Sequence, residues 1–156
     1  MANPQEAASL HYEFSYTAQV FPPVDVGATP MGARMCFTMG EGKAVGERIK
    51  GRFLGGGDWV LIGADGYGRI DVRGQIATDD GAFLYINYTG FLQMNEAIGA
   101  ALQTGVGSEF SDAYLRAAVR LESGDPRYAW VNRTLFVSAG HLLPGGIVEY
   151  RVYRVD

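Results

Sequence analysis

Three polar side chains stand where strand geometry could give them chemical work. Asp58 follows Gly55-Gly56-Gly57 and precedes Trp59. Successive strand residues point to opposite faces, so one of this pair can enter an interior while the other seals it. A carboxyl group removed from water keeps its proton to higher pH and can then act as a general acid or base near neutrality. The plainer alternative is that Asp58 accepts hydrogen bonds from amides after the glycine turn while Trp59 fills the core. Asp71 and Arg73 share one strand face, opposite Ile70, Val72 and Ile76. Facing inward, Arg73 would pair with an acid and offer its fork to an anionic or carbonyl ligand. Facing outward, the two are an ordinary solvated surface.

Other strands repeat the pattern. Tyr114 and Arg116 share a face opposite Leu115, Ala117 and Val119, and Tyr85 and Asn87 share a face of their strand in the same way. A lumen lined by Tyr85, Tyr114, Arg73 and Arg116 would hold a ring-bearing ligand and fix it by hydrogen bonds. The alternative places all of them on polar outer faces. Trp130 reads as a core plug or as a stacking platform, and Arg48, Lys50 and Arg52 read as a solvated stripe.

Much chemistry is absent from the sequence. His11 and His141 stand alone and Cys36 is the single cysteine, so no metal-ligand spacing and no disulfide is expected. Cys36 lies in a strand-like run and reads as a buried thiol. There is no nucleophile elbow, dinucleotide fingerprint or phosphate loop, and Gly55-Gly56-Gly57 precedes a strand where a phosphate site needs a helix. No cofactor is expected. A net charge of −4 argues against nucleic acid as a partner. No apolar run approaches the roughly 20 residues that cross a bilayer. The N-terminal MANPQEAASL has no basic-then-apolar pattern, and a cytoplasmic setting is expected.

The elements that must position these residues are strands. Period-two alternation marks 10–20, 32–39, 44–54, 58–62, 69–78, 82–88, 113–121, 130–139 and 147–155, with Pro22-Pro23, Asp65-Gly66, Asp80-Gly81, Asp125-Pro126 and Pro144-Gly145-Gly146 between runs. Within 91–108 the apolar residues fall at helical spacing, which predicts a short helix or a covering lid. The whole chain, 1–156, reads as one domain. Its expected fold is an all-β, closed antiparallel barrel of about eight strands, with first and last strands paired to remove exposed edges.

The run Gly27-Ala28-Thr29-Pro30-Met31-Gly32-Ala33-Arg34, the block Gly55-Gly56-Gly57-Asp58-Trp59, the strand Asp71-Val72-Arg73 and the segment Tyr128-Ala129-Trp130-Val131-Asn132 form a recognisable series. It resembles domain-of-unknown-function family 3237, also called uncharacterised protein family 0311, from about residue 10 to the end. The resemblance implies a closed barrel of the lipocalin or allene-oxide-cyclase kind, and favours the inward reading of Asp71 and Arg73.

The expected function is cofactor-independent isomerisation, cyclisation or elimination by proton transfer on a small aromatic or polycyclic compound. Asp58, Asp71 and Arg73 are the catalytic candidates. Arg34, Trp59, Tyr85, Tyr114, Arg116 and Trp130 are the substrate-binding candidates. The alternatives are a binding barrel without chemistry and a structural protein with a filled barrel. A homodimer or larger assembly is expected if the apolar faces of 69–78 and 113–121 look outward.

Overall fold

The structure, a computed structural model, describes residues 1, 3, 4 and 7–156. Ten antiparallel strands form it: β1 (Leu10–Gln19), β2 (Val24–Thr29), β3 (Gly32–Met39), β4 (Gly42–Gly46), β5 (Gly51–Ile62), β6 (Tyr67–Thr78), β7 (Phe83–Gln93), β8 (Leu115–Glu122), β9 (Phe136–Leu143) and β10 (Ile147–Val155). A helix, α1 (Glu96–Thr104), follows β7, and a 3-10 helix (Pro126–Arg133) follows β8. Strands β5-β4-β1-β10-β9-β8-β7-β6 close into an eight-stranded barrel through the β5–β6 pairing. The β2–β3 hairpin is the addition: β3 extends along Gly56–Ile62, beyond the short stretch where β4 pairs with β5.

The expected closure of first on last strand is present, running from Leu10 against Val155 to Gln19 against Ile147. Inward positions are apolar strand by strand. Val72, Tyr88, Val119 and Phe136 lie opposite one another on β6 to β9, all essentially buried. Removing each such side chain from water is worth about 1.5–3 kcal/mol, and the faces that gain this way fix the strand orientation.

That energetics reverses one expectation. Ile70, Val72 and Ile76 are 0–2% exposed and point into the barrel. Asp71 and Arg73 therefore face outward, and Arg73 is 59% exposed. The apolar faces of β6 and β8 are inside, so they give no reason for an oligomer.

Three local readings also change. Gly55-Gly56-Gly57 does not break a strand but lies within β5. Trp130 is not in a strand: the Asp125 side chain accepts from the Arg127 amide, and Pro126 opens the 3-10 helix. Val24–Thr29 forms a strand that the Pro-Pro break hid. Cys36 is half-buried rather than buried.

The two barrel ends differ. One is plugged by the 3-10 helix, whose Tyr128 hydroxyl donates to Asp80 Oδ2 at 2.9 Å, tying it to the β6–β7 turn. Nearby, Glu13 sits in a β1 bulge, 4% exposed, and accepts from Arg48 and Arg154. The other end is covered by α1, which buries Ile98 and Ala101 and is capped by the Asn95 side chain accepting from the Ile98 amide. The helical reading of part of 91–108 holds.

Candidate active site

One residue of the sequence-predicted catalytic set reaches the interior, and a bulge puts it there. Phe53 pairs with Ile76 and Gly55 with Gln75, so Leu54 is an extra residue on β5. Gly55 adopts φ +116°, a conformation that residues with a Cβ rarely take. The insertion shifts the alternation by one. If Leu54 took a place of its own in a regular ladder, Gly57 would follow Phe53 inward. With the bulge, Asp58 lies opposite the inward Val72 and shares its face.

Asp58 lines a small interior cavity of about 60 Å³ beneath α1. The neighbouring lining residues are mostly apolar, including Met35, Phe37, Met39, Met94 and Leu102. The backbone amide of Asp71 donates to Asp58 Oδ1 at 3.0 Å, where the β5–β6 pairing skips Trp59 and Val60. Oδ2 accepts no hydrogen bond from the described residues. Burial pushes the Asp58 carboxyl up to about 6; the Asp71 amide pulls it down, and the Asp71 charge adds a smaller upward push. Both protonation states are accessible near neutral pH.

The residues facing Asp58 across the lumen are tyrosines that the sequence reading missed. Tyr150 lines the same cavity. Its ring stacks on Tyr16 at 5.4 Å and meets Tyr88 edge-on at 5.1 Å. The Tyr16 hydroxyl donates to the Tyr88 hydroxyl. Burial raises the pKa of all three, and the Asp58 carboxylate raises each further. They stay protonated and remain hydrogen-bond donors over the physiological range. The available signal was a hydroxyl-bearing residue within an otherwise apolar face of β1, β7 and β10.

The other predicted residues lie elsewhere. Arg34, Trp59, Asp71, Tyr114 and Arg116 do come together, but in a trough on the outer wall. Arg34 Nη1 donates to the Trp59 carbonyl at 2.7 Å. The Arg73 guanidinium lies 5.7 Å from the Trp59 ring centroid, and that of Arg116 lies 5.4 Å from Tyr114. Tyr85 is on the outer face of β7, where the Asn87 amide reaches its hydroxyl at 3.4 Å. Trp130 packs at the plugged end, under the Arg48 guanidinium at 3.6 Å and 6.2 Å from Phe136. Among the described residues no three His, Cys, Asp or Glu side chains gather into a metal-holding group.

A closed antiparallel barrel with the Asp58 carboxyl group and a buried tyrosine cluster around its cavity defines a small single-domain barrel protein with an internal polar site. The chain belongs to the family described as protein of unknown function (DUF3237), whose model matches residues 8–155. It is 29% identical over 151 residues to a UPF0311 protein of Clostridium acetobutylicum, covering 94% of this chain and 95% of that one. A crystal structure of a conserved protein of unknown function from Rhodopseudomonas palustris superposes with a TM-score of 0.84 at 26% identity, covering 96% of this chain and 99% of that chain. A protein from Penicillium herquei, described as an enzyme, shares the fold with a TM-score of 0.71 at 18% identity over the full length of both chains.

Proposed function

We propose that this protein is a cofactor-independent enzyme that moves a proton on a small aromatic or polycyclic compound bound in the barrel, in an isomerisation, cyclisation or elimination. The observation that carries the reading is the inward Asp58 carboxyl, held by one amide, opposite Tyr150 in an apolar cavity. Asp58 takes a proton from carbon beside a carbonyl and returns it elsewhere. Tyr150, backed by Tyr88 and Tyr16, donates to the oxygen that gains charge. The fold shared with the Penicillium herquei enzyme is compatible with catalysis and says nothing of substrate.

A cavity of about 60 Å³ exceeds the roughly 10–15 Å³ one water needs but is far below the 300–1,000 Å³ of typical ligand sites. Substrate entry therefore requires α1 and the Met94 segment to move outward. The flexible side chains of Met35, Met39 and Met94 suit a mouth that reshapes around a flat ligand. The small cavity also supports the rival reading, a filled barrel with a structural role.

The setting proposed is the cytoplasm, where the lone thiol of Cys36 needs no partner. A homodimer could use the free edge of β2, where Val24 and Val26 are exposed together with nearby Met31.

The test is solvent-deuterium exchange into a panel of polycyclic 1,3-diketones, followed by NMR. Catalysed exchange that disappears in Asp58→Asn supports the proposal. Exchange that survives that substitution, or no exchange and no binding across the panel, overturns it in favour of the filled barrel.

A further inference from the structure

The outer trough has a composition that the lumen site does not use. Its volume is about 830 Å³, within the range of small-molecule sites. Thr89 and Ala118, paired across β7 and β8, give it a floor of small side chains. Trp59, Phe91 and Tyr114 stand around that floor with 41–50% of their surfaces exposed. Large rings at the surface with small residues between them leave room for a flat molecule to lie against the sheet and stack.

The charge around the trough is opposite to that of the chain. The protein carries −4 overall, yet the trough is lined by Arg34, Arg69 and Arg116 against the single acid Asp71. Arg69 is already held by Asp65, at 2.6 and 2.7 Å. Arg34 and Arg116 have no carboxylate within 4.0 Å among the described residues. Each makes one hydrogen bond to a backbone carbonyl, which orients the guanidinium and leaves further N–H groups free.

We propose that this trough is a second binding site, for a planar aromatic anion such as an aryl carboxylate. The rings of Trp59, Phe91 and Tyr114 receive the ring system, and Arg34 and Arg116 receive the anionic group. A second copy of the chain is a poor occupant. A twofold interface sets the same patch against itself, and here that would oppose two uncompensated arginine pairs. The site stands on the outer wall and does not depend on the lumen reading.

The probe is 2-naphthoate, titrated into the isotope-labelled protein and followed by amide NMR. Shifts at Thr89 and Ala118, with the neutral 2-naphthamide bound at least about tenfold more weakly, support the site. Arg34→Gln and Arg116→Gln should each weaken naphthoate about tenfold, since each removes a charge-assisted contact. Both side chains lie at the surface, and an unchanged melting temperature confirms that folding is intact. Three results overturn the proposal: affinity unchanged in the double variant, inorganic phosphate bound as tightly as naphthoate, or shifts confined to lumen residues such as Tyr150 and Met94.

Discussion

Asp71 and Asp58 are joined through the barrel wall: the amide of one, whose own side chain faces outward, holds the carboxylate of the other inside at 3.0 Å. The contact belongs to the backbone, so the Asp71 side chain is free to vary. Asp71→Asn and Arg73→Met should each change melting temperature by less than the equivalent of about 0.5 kcal/mol, as surface substitutions usually do. Scanning calorimetry checks this, and a large loss from either would return those side chains to the interior.

Asp58 makes stability depend on pH. In the unfolded chain its carboxyl titrates near 3.8, and in the fold at about 6. Between these values the folded state holds the extra proton. The Asp58 contribution is thus most favourable below about pH 3.8, is lost as pH rises towards about 6, and stays lost above. About two units correspond to about 2–3 kcal/mol. Asp58→Asn keeps an acceptor for the Asp71 amide and removes the charge. It should raise the melting temperature several degrees at neutral pH, with the gain vanishing near pH 4. A gain of equal size at both pH values would mean the cause is not this titration.

The tyrosine pair should show coupling. Tyr16→Phe or Tyr88→Phe alone leaves a buried hydroxyl without its partner and should cost about 1–3 kcal/mol. The double variant should cost less than the sum, because the Tyr16–Tyr88 bond is then lost only once. A denaturant-based double-mutant cycle measures the difference, and strict additivity would show that the hydroxyls do not interact.

The β5 bulge should be separable from the rest of the strand. Gly55→Ala demands a positive φ of a residue with a Cβ, which would also come within 2.9 Å of the Met39 carbonyl. A loss of about 1–3 kcal/mol is expected in urea unfolding. Deleting Leu54 should restore simple alternation and keep Asp58 opposite Val72, still facing inward. A deletion variant in which Asp58 no longer titrates near pH 6 would show that the register does not hold it inside.

Sequence patterning made the barrel legible because burial on one face writes a period of two. Ile70, Val72 and Ile76 carried that signal, and so did the aromatic first strand. The same pattern was ambiguous about which face is inside, and the resemblance tipped Asp71 and Arg73 the wrong way against the larger transfer energy of their apolar neighbours. The glycine run is illegible for another reason. Three glycines read as a turn, whereas in the fold their lack of side chains lets backbones approach: a Cβ at Gly56 would sit 1.9 Å from the Arg73 carbonyl. Tyr150 was passed over because a tyrosine within an apolar face looks like core until its hydroxyl is traced to a cavity.

Helix α1 should be the most mobile element. It buries only Ile98 and Ala101, so its amides should exchange with solvent faster than those of β6. Leu102→Ala should speed entry of lumen ligands in stopped-flow binding. Protection of α1 equal to that of β6 would argue against its opening.

The seam between β1 and β10 sets a schedule for synthesis. β1 leaves the ribosome well before β10, which pairs along its whole length. Until β10 follows, β1 has only its three-residue match to β4 and a few contacts at its far end. Phe14 and Tyr16, fully enclosed in the finished barrel, stay exposed on the nascent chain until β10 has emerged. A ribosome stalled before residue 147 should therefore carry a protease-sensitive, chaperone-bound chain, and resistance should arrive abruptly with the final strand.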